Sequence, residues 1–126
     1  MTREHRRFGA PMIAVAFVLA LVPGQARAQD GAQIFKSNCT VCHSAEPGQS
    51  KIGPPLFGVV GRKAGTAPNY VYSEAMKNSG LTWTPDQLEI YLANPMGVVP
   101  NTKMLFVGLK NAADRKALIG FLATLK

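Results

Sequence analysis

Cys39-Thr40-Val41-Cys42-His43 constrains this chain more than any other stretch, because it gathers the only two cysteines and a histidine into one short run. The spacing C-x-x-C-H is the attachment signature of c-type haem. One turn of helix places both sulfurs where they form thioethers with the two haem vinyls, and the adjacent imidazole then reaches the iron as proximal ligand. A chain built on this motif folds around a porphyrin that cannot diffuse away.

Three other uses of these residues are weaker. A structural zinc site takes four Cys or His ligands, and beyond the cluster the sequence offers only His5, which lies in a segment expected to be removed. The redox dithiol of thioredoxin-like proteins sits beside a βαβ pattern with alternating apolar strands, and no such strands flank this pair. A disulfide between cysteines so close in sequence closes too small a loop to stabilise much.

The N-terminus points to an oxidising compartment independently. Arg3, Arg6 and Arg7 precede the apolar run Met12–Val22, then Pro23-Gly24 and Ala26-Arg27-Ala28, a small-x-small cleavage site. Residues 1–28 are expected to be a secretory signal peptide and residues 29–126 a single domain in the periplasm. The alternative is a retained membrane anchor, but the run falls well short of the ~20 apolar residues that span a bilayer. The segment carries four arginines against Glu4, so much of the formal charge of +7 belongs to it, and nucleic-acid binding loses its main support. A domain this small buries only a modest core. A covalently held, mostly apolar porphyrin is a plausible substitute for the missing side chains.

Along the remaining chain the apolar spacing is helical and nothing reads as a sheet. Asp30 caps a short helix with Ile34 and Phe35 on one face, running into the C-x-x-C-H. From Ser44 to Tyr72 breakers such as Pro47-Gly48, Gly53-Pro54-Pro55, Gly61 and Gly65 exclude regular structure. A loop that long calls for a function, and wrapping a prosthetic group is one. Ser73–Ser79 is expected to form a short helix. Thr84-Pro85-Asp86-Gln87 reads as a cap, an N1 proline and a capping box for a helix carrying Leu88, Tyr91 and Leu92 and ending before Asn94-Pro95. Asn94–Leu109 is expected to be irregular. The last helix starts at an Asn111 cap and shows Leu118, Phe121, Leu122 and Leu125 at i, i+3, i+4 and i+7.

A haem with two protein ligands is built for electron transfer, whereas one with an open sixth position binds gas or peroxide. With no second histidine in the mature chain, the sixth ligand falls to Met76, Met96 or Met104. Met104 is the strongest candidate, because an irregular stretch can swing it toward the iron. Met76 and Met96 read better as packing residues.

Taken in register, the chain resembles a class I c-type cytochrome, of the small bacterial kind similar to mitochondrial cytochrome c. The motifs are Cys39-x-x-Cys42-His43, Gly53-Pro54, Gly61-Arg62-Lys63-x-Gly65, Ala67-Pro68, Tyr72, Leu81-Thr82-Trp83, Tyr91-Leu92-x-Asn94-Pro95 and Thr102-Lys103-Met104-x-Phe106. The resemblance implies a small all-α cytochrome c fold, with N- and C-terminal helices crossing where Gly31 and Phe35 meet Leu118 and Phe121, and with further short helices and long loops wrapped around one haem c bound through Cys39 and Cys42. It implies His43 and Met104 as iron ligands, the Pro54 carbonyl on the His43 ring N–H, Tyr72, Trp83 and Arg62 around a buried propionate, and Tyr91 beside the Met104 sulfur, with Thr102 at the same site. The chain departs from the family pattern in places: Met76 stands where an asparagine is usual, and Asn101 where a glycine is. Lys51, Lys103 and Lys110 match the family's basic ring at the haem edge, while Asn38, Met96 and Asn111 replace lysines common there.

The resulting expectation is a soluble, monomeric periplasmic carrier shuttling single electrons between membrane redox complexes. A cytochrome bc1-type donor and an oxidase, reaction centre or periplasmic reductase as acceptor would dock on the basic face. Outside the motif the mature chain has no Cys/His or Ser/His/Asp set, so no enzyme activity is expected. The rivals are a haem enzyme or gas- or peroxide-binding domain with an open sixth position, and a thiol oxidoreductase.

Overall fold

The structure, a computed structural model, describes residues 30–126. The expected signal peptide lies outside them. Asp30 caps α1 (Gly31–Asn38), its carboxylate accepting from the Ala32 N–H at 3.2 Å, because first-turn N–H groups have no acceptor inside a helix. Ser73 does the same for α2 (Glu74–Lys77), accepting from the Met76 N–H at 3.1 Å. Thr84 caps α3 (Pro85–Ala93) through the Gln87 N–H at 3.1 Å. Only half of the capping box forms, since the Thr84 N–H donates instead to the Thr82 carbonyl at 2.8 Å.

The stretch expected to be irregular from Asn94 holds one more short helix, α4 (Pro95–Val98). Its signals repeat those of α3: the Asn94 side chain accepts from the Gly97 N–H at 3.2 Å, and proline occupies the first helical position. Asn111 caps α5 (Ala112–Leu122) through the Ala113 and Asp114 N–H groups. Leu125, counted in the stripe of that helix, lies past its end, where its carbonyl accepts from the Gly58 N–H at 2.6 Å.

α1 crosses α5 so closely that a Cβ on Gly31 would overlap the Ala117 carbonyl. Beside that crossing Phe35 tilts against Phe121 with ring centroids 5.3 Å apart, and Ile34 and Leu118 are buried. α5 also packs against α3. Among the described residues the only strand-like pairing is an isolated bridge between Lys63 and Thr82, so the fold is all-α. No helix among them is long and apolar enough to cross a membrane.

The breaker-rich loops are irregular without being loose. Gly53 N–H donates to the Cys42 carbonyl at 2.7 Å and Leu56 N–H to Ser44 at 2.8 Å, laying one loop along the C-x-x-C-H. Further on, Gly61 N–H reaches the Trp83 carbonyl at 2.9 Å and Trp83 N–H the Arg62 carbonyl at 2.9 Å. Asn101 adopts φ +63°, a left-handed conformation that asparagine tolerates better than most residues. This explains how it can stand in the position where the family has glycine.

Candidate haem-binding site

α1 ends at Cys39, and the chain turns once more: Cys42 and His43 N–H both donate to the Cys39 carbonyl, at 3.0 and 2.8 Å. That turn delivers Cys39, Cys42 and His43 to one wall of a predominantly apolar cavity of about 380 Å³. The other residues that the resemblance implies at the haem, Pro54, Arg62, Tyr72, Trp83, Tyr91, Thr102 and Met104, line the same cavity. Segments far apart in sequence converge there because the two irregular loops run around it.

His43 is 9 % exposed, and its Nδ1 lies 2.7 Å from the Pro54 carbonyl. An N–H at Nδ1 donated to that oxygen leaves Nε2 as the nitrogen free to bind a metal. Gly53 is required beside it, since a Cβ there would overlap the imidazole. Burial holds His43 below the usual histidine range; the Pro54 carbonyl works the other way, while Lys51 and Arg62 add to the lowering. The neutral ring is the form that ligates iron.

On α3, Tyr91 Oη donates to the Met104 Sδ at 3.2 Å, and Met104 N–H donates to Thr102 Oγ1 at 3.2 Å. Burial raises the Tyr91 phenol above its ordinary range, opposed by Thr102, so the hydroxyl keeps the proton it gives to sulfur. Trp83 is buried against Tyr91, ring centroids 4.6 Å apart. The Tyr72 hydroxyl accepts from the Ala67 N–H at 3.2 Å.

Arg62 donates from Nη1 to the Phe57 carbonyl at 3.1 Å and from Nη2 to Pro55 at 3.0 Å. Its Nε is buried with no partner among the described residues. Desolvation pushes its pKa down, with Tyr72 acting against the shift. A half-buried cation with an orphaned donor and no carboxylate beside it suits an anionic group of a ligand. Paired thiols, a ligand-ready imidazole, an apolar cavity and this unmatched cation together fit a haem with its propionates.

The competing chemistries fit less well. Burial pushes the Cys39 thiol up to about 11, with Cys42 adding to the shift, whereas a redox dithiol needs a thiolate stabilised toward neutral pH. Among the described residues no group of three or more His, Cys, Asp and Glu is placed to hold a metal ion by itself, so tetrahedral zinc lacks its donors.

Two features escaped the sequence. Tyr70 also lines the cavity, donating to the Ile52 carbonyl at 3.0 Å, with Lys103 Nζ 5.3 Å above its ring. Its only signal was a second tyrosine near Tyr72. Met96, read as a packing residue, is 50 % exposed, while Met76 is 8 % exposed and lines the cavity. Met96 sits in α4, the short helix that was not anticipated, and its side chain faces solvent.

A cytochrome c family model matches residues 28–126. The chain is 55 % identical over 95 residues to cytochrome c2 of Rhodomicrobium vannielii, covering 75 % of each chain. It is 44 % identical over 97 residues to cytochrome c2 of Rhodopila globiformis, covering 77 % of this chain and 92 % of that one. Cytochrome cH from Methylobacterium extorquens, a solved structure, is similar with a TM-score of 0.70 and 41 % identity over 75 % of this chain and 94 % of its own. Matches of this extent, met by two cysteines and a histidine on one apolar cavity, show that the chain belongs to the cytochrome c family and is a monohaem electron carrier with its haem c bound covalently through Cys39 and Cys42.

Proposed function

We propose that the protein is a periplasmic carrier whose iron is held by His43 and Met104, made with a signal peptide over residues 1–28 and working as a monomeric domain over residues 29–126. The observation that carries this reading is the Tyr91 hydroxyl on the Met104 sulfur, in a cavity whose lining also includes His43 with its Nδ1 already engaged. A thioether fixed by a hydrogen bond at a haem cavity is a poor core filler and a good ligand. Bound there, haem c supplies a one-electron Fe(III)/Fe(II) couple, and histidine–methionine ligation favours the reduced ion.

The chain's own residues set the conditions. Pro54 fixes the His43 ring. Arg62, with Tyr72 and Trp83 alongside it on the cavity wall, offers donors to a propionate that would otherwise be buried uncompensated. Ile52 and Leu105 line the cavity yet are 73 % and 94 % exposed, so an apolar mouth opens to solvent next to Lys51 and Lys103. Lys110 completes the basic face. There a cytochrome bc1-type donor and an oxidase, reaction centre or periplasmic reductase as acceptor would dock, through complementary charge that steers encounter more than it tightens binding.

Met104→Ala tests the ligand assignment. The thioethers to Cys39 and Cys42 do not involve residue 104, so the haem should stay attached. The ferric protein should lose the absorption band near the red end of the visible that marks methionine ligation, and the midpoint potential should fall. A variant that keeps both the native spectrum and the native potential would move the sixth ligand to Met76 or Met96, and a wild-type ferric protein without the band would return the sixth position to the open-site reading.

A further inference from the structure

We propose that Arg115, through its pairing with Glu89, is a positioning residue for Met104, setting how firmly the methionine is kept at the iron. The inference rests on the reading of Met104 as the sixth ligand. Arg115 does not line the cavity; it acts from α5 on the far end of the loop that carries Met104.

In that loop Met104 and Phe106 line the cavity and Lys103 Nζ donates to the Val71 carbonyl, but Leu105 and Val107 are 94 % and 75 % exposed, so beyond Phe106 its path depends on how its end is tied down. At the near end Thr102 N–H donates to the Val99 carbonyl at 3.2 Å. At the far end the chain docks on the last turn of α3, whose carbonyls have no acceptor role left inside the helix. Leu109 N–H takes the Leu92 carbonyl at 2.8 Å and Lys110 Nζ takes Ala93 at 2.8 Å.

Arg115 then closes the junction. Its Nη1 donates to the Leu109 and Lys110 carbonyls at 2.7 and 3.0 Å, while its Nε donates to Glu89 Oε1 on α3 at 2.6 Å. One guanidinium thus joins α5, α3 and the returning loop. Its side chain is 13 % exposed and that of Glu89 38 %, so the arginine end of the pair, with its bonds to Glu89 and Leu109, is partly shielded from solvent. Among the described residues the only other ion pair is Lys77–Glu74, within α2. α3 also carries Tyr91, whose hydroxyl reaches the Met104 sulfur. The helix that holds the sulfur directly is therefore the helix against which Arg115 clamps the loop. A lysine could keep the charge but not the planar fork that serves a carboxylate and two carbonyls at once.

The test is displacement of Met104 by added imidazole in the ferric holoprotein, read from loss of the red-end band, in wild type, Arg115→Gln, Arg115→Lys, Glu89→Gln and Gly31→Ala. Arg115→Gln should bind imidazole ~10-fold more tightly, within the range that remote coupling residues reach. Arg115→Lys and Glu89→Gln should fall between it and wild type. Gly31→Ala, which strains the helix crossing instead, should lower the melting temperature and leave imidazole affinity unchanged. Wild-type affinity in Arg115→Gln overturns the proposal, as does an equal rise in Gly31→Ala at a matched loss of melting temperature. Should Arg115→Gln fail to fold, wild-type affinity in both Arg115→Lys and Glu89→Gln overturns it instead. If Met104→Ala, followed at its main haem absorption band, binds imidazole no more tightly than wild type, the ligand assignment has failed, and the positioning role falls with it by a separately visible route.

Discussion

At the α1–α5 crossing side chains meet side chains: Ile34 and Leu118 are buried and Phe35 tilts against Phe121. In the loop that carries Met104, from Val99 to Lys110, the side chains of Leu105 and Val107 face solvent and the backbone is tied down by hydrogen bonds at its two ends. The crossing is stabilised by apolar area, which is non-directional and tolerant of small shifts. The loop depends on directed bonds and on a glycine at one place. A frame of the first kind survives ligand exchange, and a ligand-bearing loop of the second kind is where local opening is cheapest.

Removing the haem should break both regions at once. A predominantly apolar cavity of about 380 Å³ borders the core, and without haem its walls lose their packing partner and meet water, a loss of several kcal/mol on the scale of large core truncations, ~2–5 kcal/mol each. That is comparable to the whole stability of a small domain, ~5–15 kcal/mol. A Cys39→Ser/Cys42→Ser chain, exported without haem, should therefore show no cooperative thermal transition by circular dichroism. A sharp transition would mean that the helical frame stands alone.

Gly108→Ala should separate the regions. Gly108 has φ +94°, and a Cβ there would overlap the Ala93 carbonyl; the left-handed conformation alone costs ~1–2 kcal/mol for an L-residue, and the overlap raises the loss to about 3. The red-end band should disappear at a temperature where the helical signal persists. Simultaneous loss of both signals would show loop and frame to be one cooperative unit. Gly31→Ala probes the frame in turn. Helix propensity favours alanine by up to ~1 kcal/mol, yet the Cβ would press on the Ala117 carbonyl, and overpacking of this kind costs ~1–3 kcal/mol. The melting temperature should fall with the red-end band intact until the global transition, and a rise would mean that the helices part easily.

The same division governs what could be read in advance. The frame was legible because helices announce themselves: Asp30, Thr84 and Asn111 are caps whose side chains accept first-turn N–H groups, and Leu118, Phe121 and Leu122 recur at helical spacing. α4 was missed although Asn94-Pro95 carries the same signals, because that pair also reads as the stop of α3, whose C-cap and the N-cap of α4 are one residue, Asn94. The site is a different matter. Composition and spacing gave the C-x-x-C-H, but the convergence of Arg62, Trp83, Tyr91 and Met104 on one cavity came from resemblance, since loop paths are fixed by long-range bonds such as Gly61 to Trp83 that leave no local pattern. The Arg115 clamp had no sequence signal, being defined by carbonyls that any residue supplies.

A smaller effect concerns the surface the loop shares with its partners. Lys51, Lys103 and Lys110 each donate Nζ to a backbone carbonyl, of Thr40, Val71 and Ala93 respectively. Their charge remains available for steering, screened beyond ~8 Å at physiological ionic strength. Electron transfer to an acidic partner should slow as salt rises, with a shallow dependence because Asn38, Met96 and Asn111 contribute no charge. A steep dependence would place the docking face over a more basic part of the surface, and a flat one over a neutral part.

The smallest expected effect, at Met96, set against a larger one at Met76, is the sharpest check on how the methionines divide between the two regions. Met76 is 8 % exposed among core side chains, and Met76→Ala should cost ~2–5 kcal/mol of stability, as truncation of a buried methionine does. Met96 has half of its surface in solvent, and Met96→Ala should stay within ~0.5 kcal/mol of wild type, the range of surface substitutions. Both should keep the red-end band, because neither sulfur meets the Tyr91 hydroxyl that Met104 accepts. Chemical denaturation followed at that band and in the far ultraviolet measures both quantities in one titration. A large loss at Met96 would mean that α4 leans on the core in the holoprotein. Loss of the band at Met96 with its retention in Met104→Ala would show that α4, and not the exposed loop beyond it, carries the ligand.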